Sequence, residues 1–243
     1  VLAVAPTGSG KTLTAFLSAL NALATGQWPT GRTSVVYVSP LKALGTDVRA
    51  NLAMPLAGLR QAFAAAGELF PAIRAAIRSG DTTAEARRHM LRHPPEILIT
   101  TPESLNLLLS SKGGRSMLTD VRLVILDEIH AVAGSKRGVF LLSAVERLAL
   151  LSGEFQRVAL SGTVSPLDTV AAIVGGFTRS GDPADPVLTP RPVTIIQSPA
   201  KKRLDLRVRF VPWPHDESKA SYLQVLAADI RRRIAENRTT LVF

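Results

Sequence analysis

The chain has 243 residues, 46% of them hydrophobic and 20% charged, which suits a folded soluble domain and not a disordered one. It contains no cysteine, so disulfides and cysteine-based zinc sites are excluded, and no apolar run approaches the roughly 18 residues that a membrane-spanning helix needs. With 29 basic and 19 acidic residues the net charge is +10, a balance that favours a polyanionic partner because phosphate contacts release condensed counterions.

In chain order, strand-like apolar runs alternate with helical patterns. VLAVAP (1–6) precedes a helix over about 11–23, and SVVYVSP (34–40) precedes an Ala/Leu-rich helix reaching about residue 66. A weaker strand near 73–78 leads through SGDT into a helix over 84–92, with Thr82 and Glu85 read as a capping box. EILITTP (96–102) is followed by a short helix, LVILDE by a long helix near 139–151, and RVALSGT (157–163) by PLDTVAAIVGG. PVTIIQ (192–197) closes the series, after a Gly/Pro/Asp-rich stretch over 179–192 that reads as a loop. This alternation predicts a three-layer α/β domain with a mostly parallel sheet.

A domain boundary is expected near residue 200. Residues 201–243 then form a linker and the first elements of a second domain, with a strand-like LRVRFVP, a helix near 221–236 and a final TTLVF. The chain opens inside one apolar run at Val1 and stops inside another, so both ends read as cut from a longer protein.

The unusual polar clusters all fall just past strands, where open α/β sheets place their ligands. APTGSGKT (5–12) joins the first strand to the first helix. There Gly8 and Gly10 let backbone N–H groups turn inward, and the helix N-terminus adds positive partial charge. Lys11 would reach the β- and γ-phosphates of a nucleotide, and the Thr12 hydroxyl would hold Mg²⁺. Ala5, Pro6, Thr7, Gly8, Ser9, Gly10, Lys11 and Thr12 are therefore the candidate nucleotide-binding residues, although the usual pattern opens with Gly where this chain has Ala5.

LVILDEIHAV (123–132) places two carboxylates at the end of a strand that reads as buried on both faces. Without a cation, such a pair suffers mutual repulsion and desolvation. A magnesium–triphosphate removes that cost: Asp127 suits the metal, directly or through water, and Glu128 suits the attacking water. Lys11, Asp127 and Glu128 are the candidate catalytic residues. Of the four histidines, His89, His93 and His215 read as ordinary surface or semi-buried side chains.

APTGSGKT, DEIH and SGT, in that order, resemble motifs I, II and III of superfamily 2 helicases of the DExH-box branch. PLKAL (40–44) and TPESL (101–105) resemble motifs Ia and Ib. SPLKALGTDVRANL, SGDTTAEARR, TTPESLNLLLSS and DEIHAVAGSKRG most resemble the Lhr (large helicase-related) ATP-dependent DNA helicases. The resemblance covers about residues 1–200. It implies a RecA-like P-loop NTPase domain, with 201–243 beginning a second such domain.

It also implies ATP and Mg²⁺ as cofactors, ATP hydrolysis coupled to movement along single-stranded or partly duplex DNA, a cytoplasmic location and no membrane partner. His130, Ser161 and Thr163 would couple nucleotide state to nucleic-acid grip. Pro40, Leu41, Lys42, Thr101, Pro102, Glu103 and Ser104 would hold the strand backbone, with Thr101 capping a helix whose first residue is Pro102. Neither segment has an aromatic residue for base stacking. SKRG (135–138) reads as a basic loop, either on the nucleic acid or solvated. Because the arginine fingers of such motors come from the second domain, this chain is expected to bind ATP and turn it over poorly. A DExH-type RNA helicase, or a nucleotide-binding switch without efficient turnover, are the alternatives.

Overall fold

A computed structural model describes the chain apart from residues 7, 41, 163, 183, 200–207, 209, 211–218 and 241–243, and the side chains of 42–46. It divides into two compact units, Val1–Lys201 and Lys202–Phe243.

In the first unit, β1 (Leu2–Val4), α1 (Lys11–Ala24), β2 (Val35–Val38), α2 (Lys42–Ala65), β3 (Ala75–Arg78), α3 (Ala84–Arg92) and β4 (Ile97–Thr100) alternate as expected. They are followed by α4 (Pro102–Ser110), α5 (Lys112–Met117), β5 (Leu123–Leu126), α6 (Lys136–Ser152), β6 (Gln156–Ser161) and α7 (Leu167–Gly175). A hairpin of β7 (Phe177–Asp182) and β8 (Asp185–Pro190) precedes β9 (Ile195–Gln197).

Seven strands form one parallel sheet in the order β3-β4-β2-β5-β6-β1-β9. The chain steps from β1 past two strands to β2, then outward to β3, and returns through β4, β5 and β6. Right-handed crossovers put the outgoing helices on one face and the returning helices on the other. The packing follows that rule. Phe16, Leu20 and Leu23 of α1 and Val48, Leu52 and Leu56 of α2 cover one face with Val35, Tyr37, Leu123 and Ile125. Leu105, Leu108 and Leu109 of α4 and Leu141, Val145 and Leu148 of α6 cover the other with Val36, Val38, Val124 and Leu126. β2, β4 and β5 are thus buried on both sides, which is why they read as continuous Val/Ile/Leu runs.

Three local readings change. The stretch read as a loop over 179–192 holds most of the β7–β8 antiparallel hairpin, paired from Phe177↔Pro190 to Asp182↔Asp185. Its composition is turn-like at the tip, where Gly181 takes φ +85°, while Thr178, Val187 and Leu188 supply the strand character. The cap of α3 is Thr83, whose side chain accepts from the Ala86 N–H at 3.2 Å, while the Thr82 hydroxyl serves the preceding turn by accepting from Ser79 N–H. SKRG is helical: Ser135 caps α6, and Lys136, Arg137 and Gly138 begin its first turn.

At the strands' N-terminal end, Arg157 is 7% exposed and is held by Glu146 of α6 and the Gly175 carbonyl. Arg191, just after the hairpin, shares Glu146 and also pairs with Glu154 at 2.8 Å. This network fastens the hairpin's exit to α6 and β6.

In the second unit, α8 (Lys219–Glu236) pairs Asp229 with Arg232 and Arg233 and buries none of its side chains. The final TTLVF runs into residues 241–243, outside the described part of the chain. Among the described residues no helix is long and apolar enough to cross a membrane.

Leu105 is fully buried where α4 meets the sheet. Leu105→Ala should lower the unfolding free energy by about 2–5 kcal/mol, read from urea denaturation.

Candidate nucleotide and nucleic-acid site

Between β1 and α1 the backbone curls through Gly8 and Gly10, both at φ +85°. A Cβ added at either would meet nothing within 4 Å, so the glycines answer to the dihedral and not to space. Gly10 caps α1 without a side chain, and the first turn contains no acidic residue. The free N–H groups and the helix dipole at this end are therefore left for an anion. Among the described residues, no hydrogen bond or ion pair engages Lys11 Nζ or Thr12 Oγ1. Ala5 donates its N–H to the Ser161 carbonyl at 3.1 Å, and its φ is not positive, so the position where glycine is usual makes no demand for glycine here. A cavity of about 360 Å³ opens beside the loop, lined in part by Ala5, Ser9, Lys11, Leu160 and Ile196. Thr7 lies outside the described residues.

Two strands away, β5 gives way to Asp127, which is 5% exposed. Its N–H donates to the Val38 carbonyl at 2.9 Å, and its carboxylate accepts from the Glu128 N–H at 2.8 Å and from the Tyr37 hydroxyl. Burial, reinforced by the charge of Asp127, holds the Tyr37 hydroxyl well above the usual tyrosine range, so it remains a donor. Glu128 stands at φ 49°, ψ 42°, the one non-glycine residue with positive φ among those described. Such a conformation costs on the order of 1–3 kcal/mol and marks a backbone held by its surroundings. Here the buried β5 precedes it, and fully buried Ile129 anchors the turn that follows.

His130 gathers the next contacts at one nitrogen. Its Nδ1 lies 3.2 Å from Ser161 Oγ, 3.3 Å from Glu128 Oε2 and 3.4 Å from the Gly162 N–H. β6, which carries Ser161, is the strand inserted between β1 and β5. Ala5, Ser161, His130 and Glu128 therefore form a polar chain from the phosphate loop to the paired acids. Thr163 lies outside the described residues.

The donors around this edge are hydroxyl and carboxylate oxygens. They suit Mg²⁺, which is commonly held by one or two carboxylates together with nucleotide phosphates and water. Among the described residues, no three His, Asp or Glu side chains come together as a metal cluster.

The strands on the other side of β5 carry the segments expected to hold nucleic acid. Pro40 is buried just past β2. Leu41 and the Lys42 side chain lie outside the described residues. Thr101 caps α4 by accepting the Ser104 N–H at 3.4 Å, with Pro102 in the first helical position. Thr101, Pro102 and Ser104 are buried, and Glu103 is open to solvent. The first turn of α4 carries the Glu103 carboxylate close to the helix N-terminus, so that end is less bare than its sequence suggests. That carboxylate also takes a two-pronged contact from Arg137 of α6, at 2.6 and 3.1 Å.

Tyr37 is the residue at this edge that motif reading missed, and the Glu103 pairing of Arg137, in the basic SKRG segment, is the contact it missed. A lone tyrosine in an otherwise aliphatic, two-face-buried strand was the available signal, since its hydroxyl must find a partner. The basic character of SKRG flagged Arg137, but nothing local named Glu103 as its partner.

A glycine loop feeding a helix, two acids ending a buried strand, and a connecting strand between them define a nucleotide-binding α/β domain of the RecA-like helicase kind. The chain belongs to the DEAD/DEAH box helicase family, whose model matches residues 1–171. Within it, the chain resembles the Lhr proteins. It is 41% identical to an ATP-dependent helicase Lhr-Core of Methanothermobacter thermautotrophicus, over all of this chain and 28% of that protein. It is 46% identical to the Lhr helicase/uracil glycosylase of Escherichia coli, over 85% of this chain and 13% of that one. The structure of Mycobacterium smegmatis helicase Lhr bound to ssDNA and AMP-PNP matches 98% of this chain and 29% of its own with a TM-score of 0.84 at 43% identity. The chain thus spans under a third of the length of each of these relatives.

The Glu103–Arg137 contact is directly testable. The Arg137 guanidinium holds the Glu103 carboxyl below the usual range, so the pair's contribution is present at neutral pH and is lost as pH falls through the folded Glu103 value. Arg137→Ala should move the Glu103 titration upward, toward the ordinary glutamate range, in an NMR pH titration of its side-chain carboxyl.

Proposed function

We propose that this chain is the ATP-binding motor domain of an ATP-dependent helicase or translocase acting on single-stranded DNA, in a longer Lhr-type protein. One observation carries the reading: the phosphate loop, Ser161 and the paired acids meet at the C-terminal edge of three adjacent parallel strands, β1, β6 and β5. The likeness to an Lhr helicase bound to ssDNA and AMP-PNP supports it, as does the net charge of +10.

In this reading the loop N–H groups and the end of α1 hold the phosphates, and Lys11 reaches the β/γ region. The cavity beside the loop gives room for the rest of the nucleotide. Thr12 and Asp127 would hold Mg²⁺, which supplies charge neutralisation on the transferring phosphoryl group. Glu128 orients the attacking water and receives its proton at the carboxylate. His130, Ser161 and Thr163 carry the nucleotide state toward the strand-gripping elements, namely Pro40, Leu41 and Lys42 before and at the start of α2, and Thr101 to Ser104 at the start of α4. With Thr101, Pro102 and Ser104 buried, their part is to shape the end of α4, and a phosphate arriving there would meet Glu103 and Arg137. Val1–Lys201 is the first RecA-like domain in this account, and the following residues begin the second, which would supply the arginine fingers. A cytoplasmic location accords with this role.

The test is titration with a fluorescent ATP analogue and Mg²⁺. Wild type should bind. Lys11→Ala should weaken binding by roughly 10–100-fold, the worth of a lost charge-assisted hydrogen bond. Glu128→Gln should bind as wild type. Turnover should stay near background even with DNA, since an arginine finger contributes about 10³–10⁵ in rate. Undiminished binding by Lys11→Ala removes the reading. Tighter retention of single-stranded RNA than DNA replaces it with the RNA-helicase alternative.

A further inference from the structure

We propose that Tyr37 is a positioning residue for Asp127, its buried hydroxyl and stacked ring holding the carboxylate at a set place relative to the first turn of α1. The inference rests on the ATP–Mg²⁺ reading above and adds a residue outside every motif that reading uses.

The argument begins with the faces of the sheet. β2 and β5 are parallel neighbours, with Tyr37 opposite Ile125. Both residues lie on the face covered by α1 and α2. With a period of two, Asp127 returns to the face of Ile125. The Tyr37 ring is fully buried and stacks on Phe16 of α1, with centroids 5.5 Å apart and planes 24° from parallel. Phe16 stands one helical turn beyond Thr12 on that helix. At its far end the Tyr37 hydroxyl donates to Asp127, while Asp127's other oxygen takes the Glu128 N–H.

One rigid side chain therefore spans the interval between the helix that carries Lys11 and Thr12 and the strand end that carries Asp127. The two groups expected to hold the divalent ion come from separate elements, and Tyr37 touches both elements. A carboxylate with one oxygen bound by a backbone N–H and the other by a buried phenol has no rotation left, which suits a ligand that must be in place before the metal arrives.

A hydroxyl satisfied merely as part of the core would behave differently. In that case Tyr37→Phe would change stability and leave metal use alone. Phe retains the ring and its stacking partner and removes only the donor.

The experiment measures three quantities in wild type, Tyr37→Phe, Asp127→Asn and the double variant: the melting temperature, fluorescent ATP-analogue affinity in EDTA, and the Mg²⁺ concentration giving half of the metal-dependent gain in affinity. Tyr37→Phe should bind the analogue in EDTA as wild type does and need about 10-fold more Mg²⁺ or beyond, the usual effect of losing a group that orients a metal ligand. In the Asp127→Asn background the same change should add nothing. An unmoved Mg²⁺ midpoint in folded Tyr37→Phe overturns the proposal, and so does an equal shift with Asp127 already replaced. Should Tyr37→Phe fail to fold, Phe16→Leu keeps the hydroxyl and loosens its brace. It should raise the midpoint in the same direction, and no rise overturns the proposal. Wild type that does not bind the analogue at all refutes the nucleotide reading itself, and the inference falls with it.

Discussion

Strands covered by helices on both faces can carry charge only where they end. β5 obeys this constraint in full: its four residues are buried, and the next two are acids. The candidate functional groups described above are arranged around that limit. The polar groups gather along one edge because the interior excludes them, and the strand order decides which groups become neighbours. With β6 lying between β1 and β5, Ser161 stands beside both the phosphate loop and the paired acids. The order 3-4-2-5-6-1-9 is therefore as much a part of the site as the side chains are.

The interior also decides how those groups are held. Asp127 is nearly inaccessible, yet it has a backbone donor and a phenol on its two oxygens. Glu128 is pushed into a left-handed turn between a fully buried strand and a fully buried isoleucine. Its side chain then reaches His130, which in turn meets Ser161. Strain in one residue, stabilised by apolar packing on either side, aims an acid where a flexible loop would leave it free.

Much of this was legible in the sequence, for physical reasons. Buried parallel strands have a clear signature, and the runs at 35–38, 97–100 and 123–126 fall where expected. The phosphate loop and DEIH are readable because each chemistry tolerates few residue types. Long-range contacts were not readable. Nothing local to Tyr37 names Asp127, 90 positions away, and nothing in TPES announces that Arg137 neutralises Glu103. The hairpin over 177–190 was hidden because its turn residues outweigh a few apolar ones in any short window. The Thr82/Thr83 question turned on a single residue, finer than pattern reading resolves.

Ala5 shows that structure constrains backbone angles and not letters. Where a phosphate loop ordinarily opens with glycine, this chain bends without needing one, since the left-handed positions are Gly8 and Gly10. A methyl group at the loop's entrance is therefore neutral to its architecture. Patterns that insist on glycine there would pass over chains of this kind, whereas a pattern written in dihedral requirements would retain them. In this chain the residue at that position therefore says little about whether the turn that follows is intact.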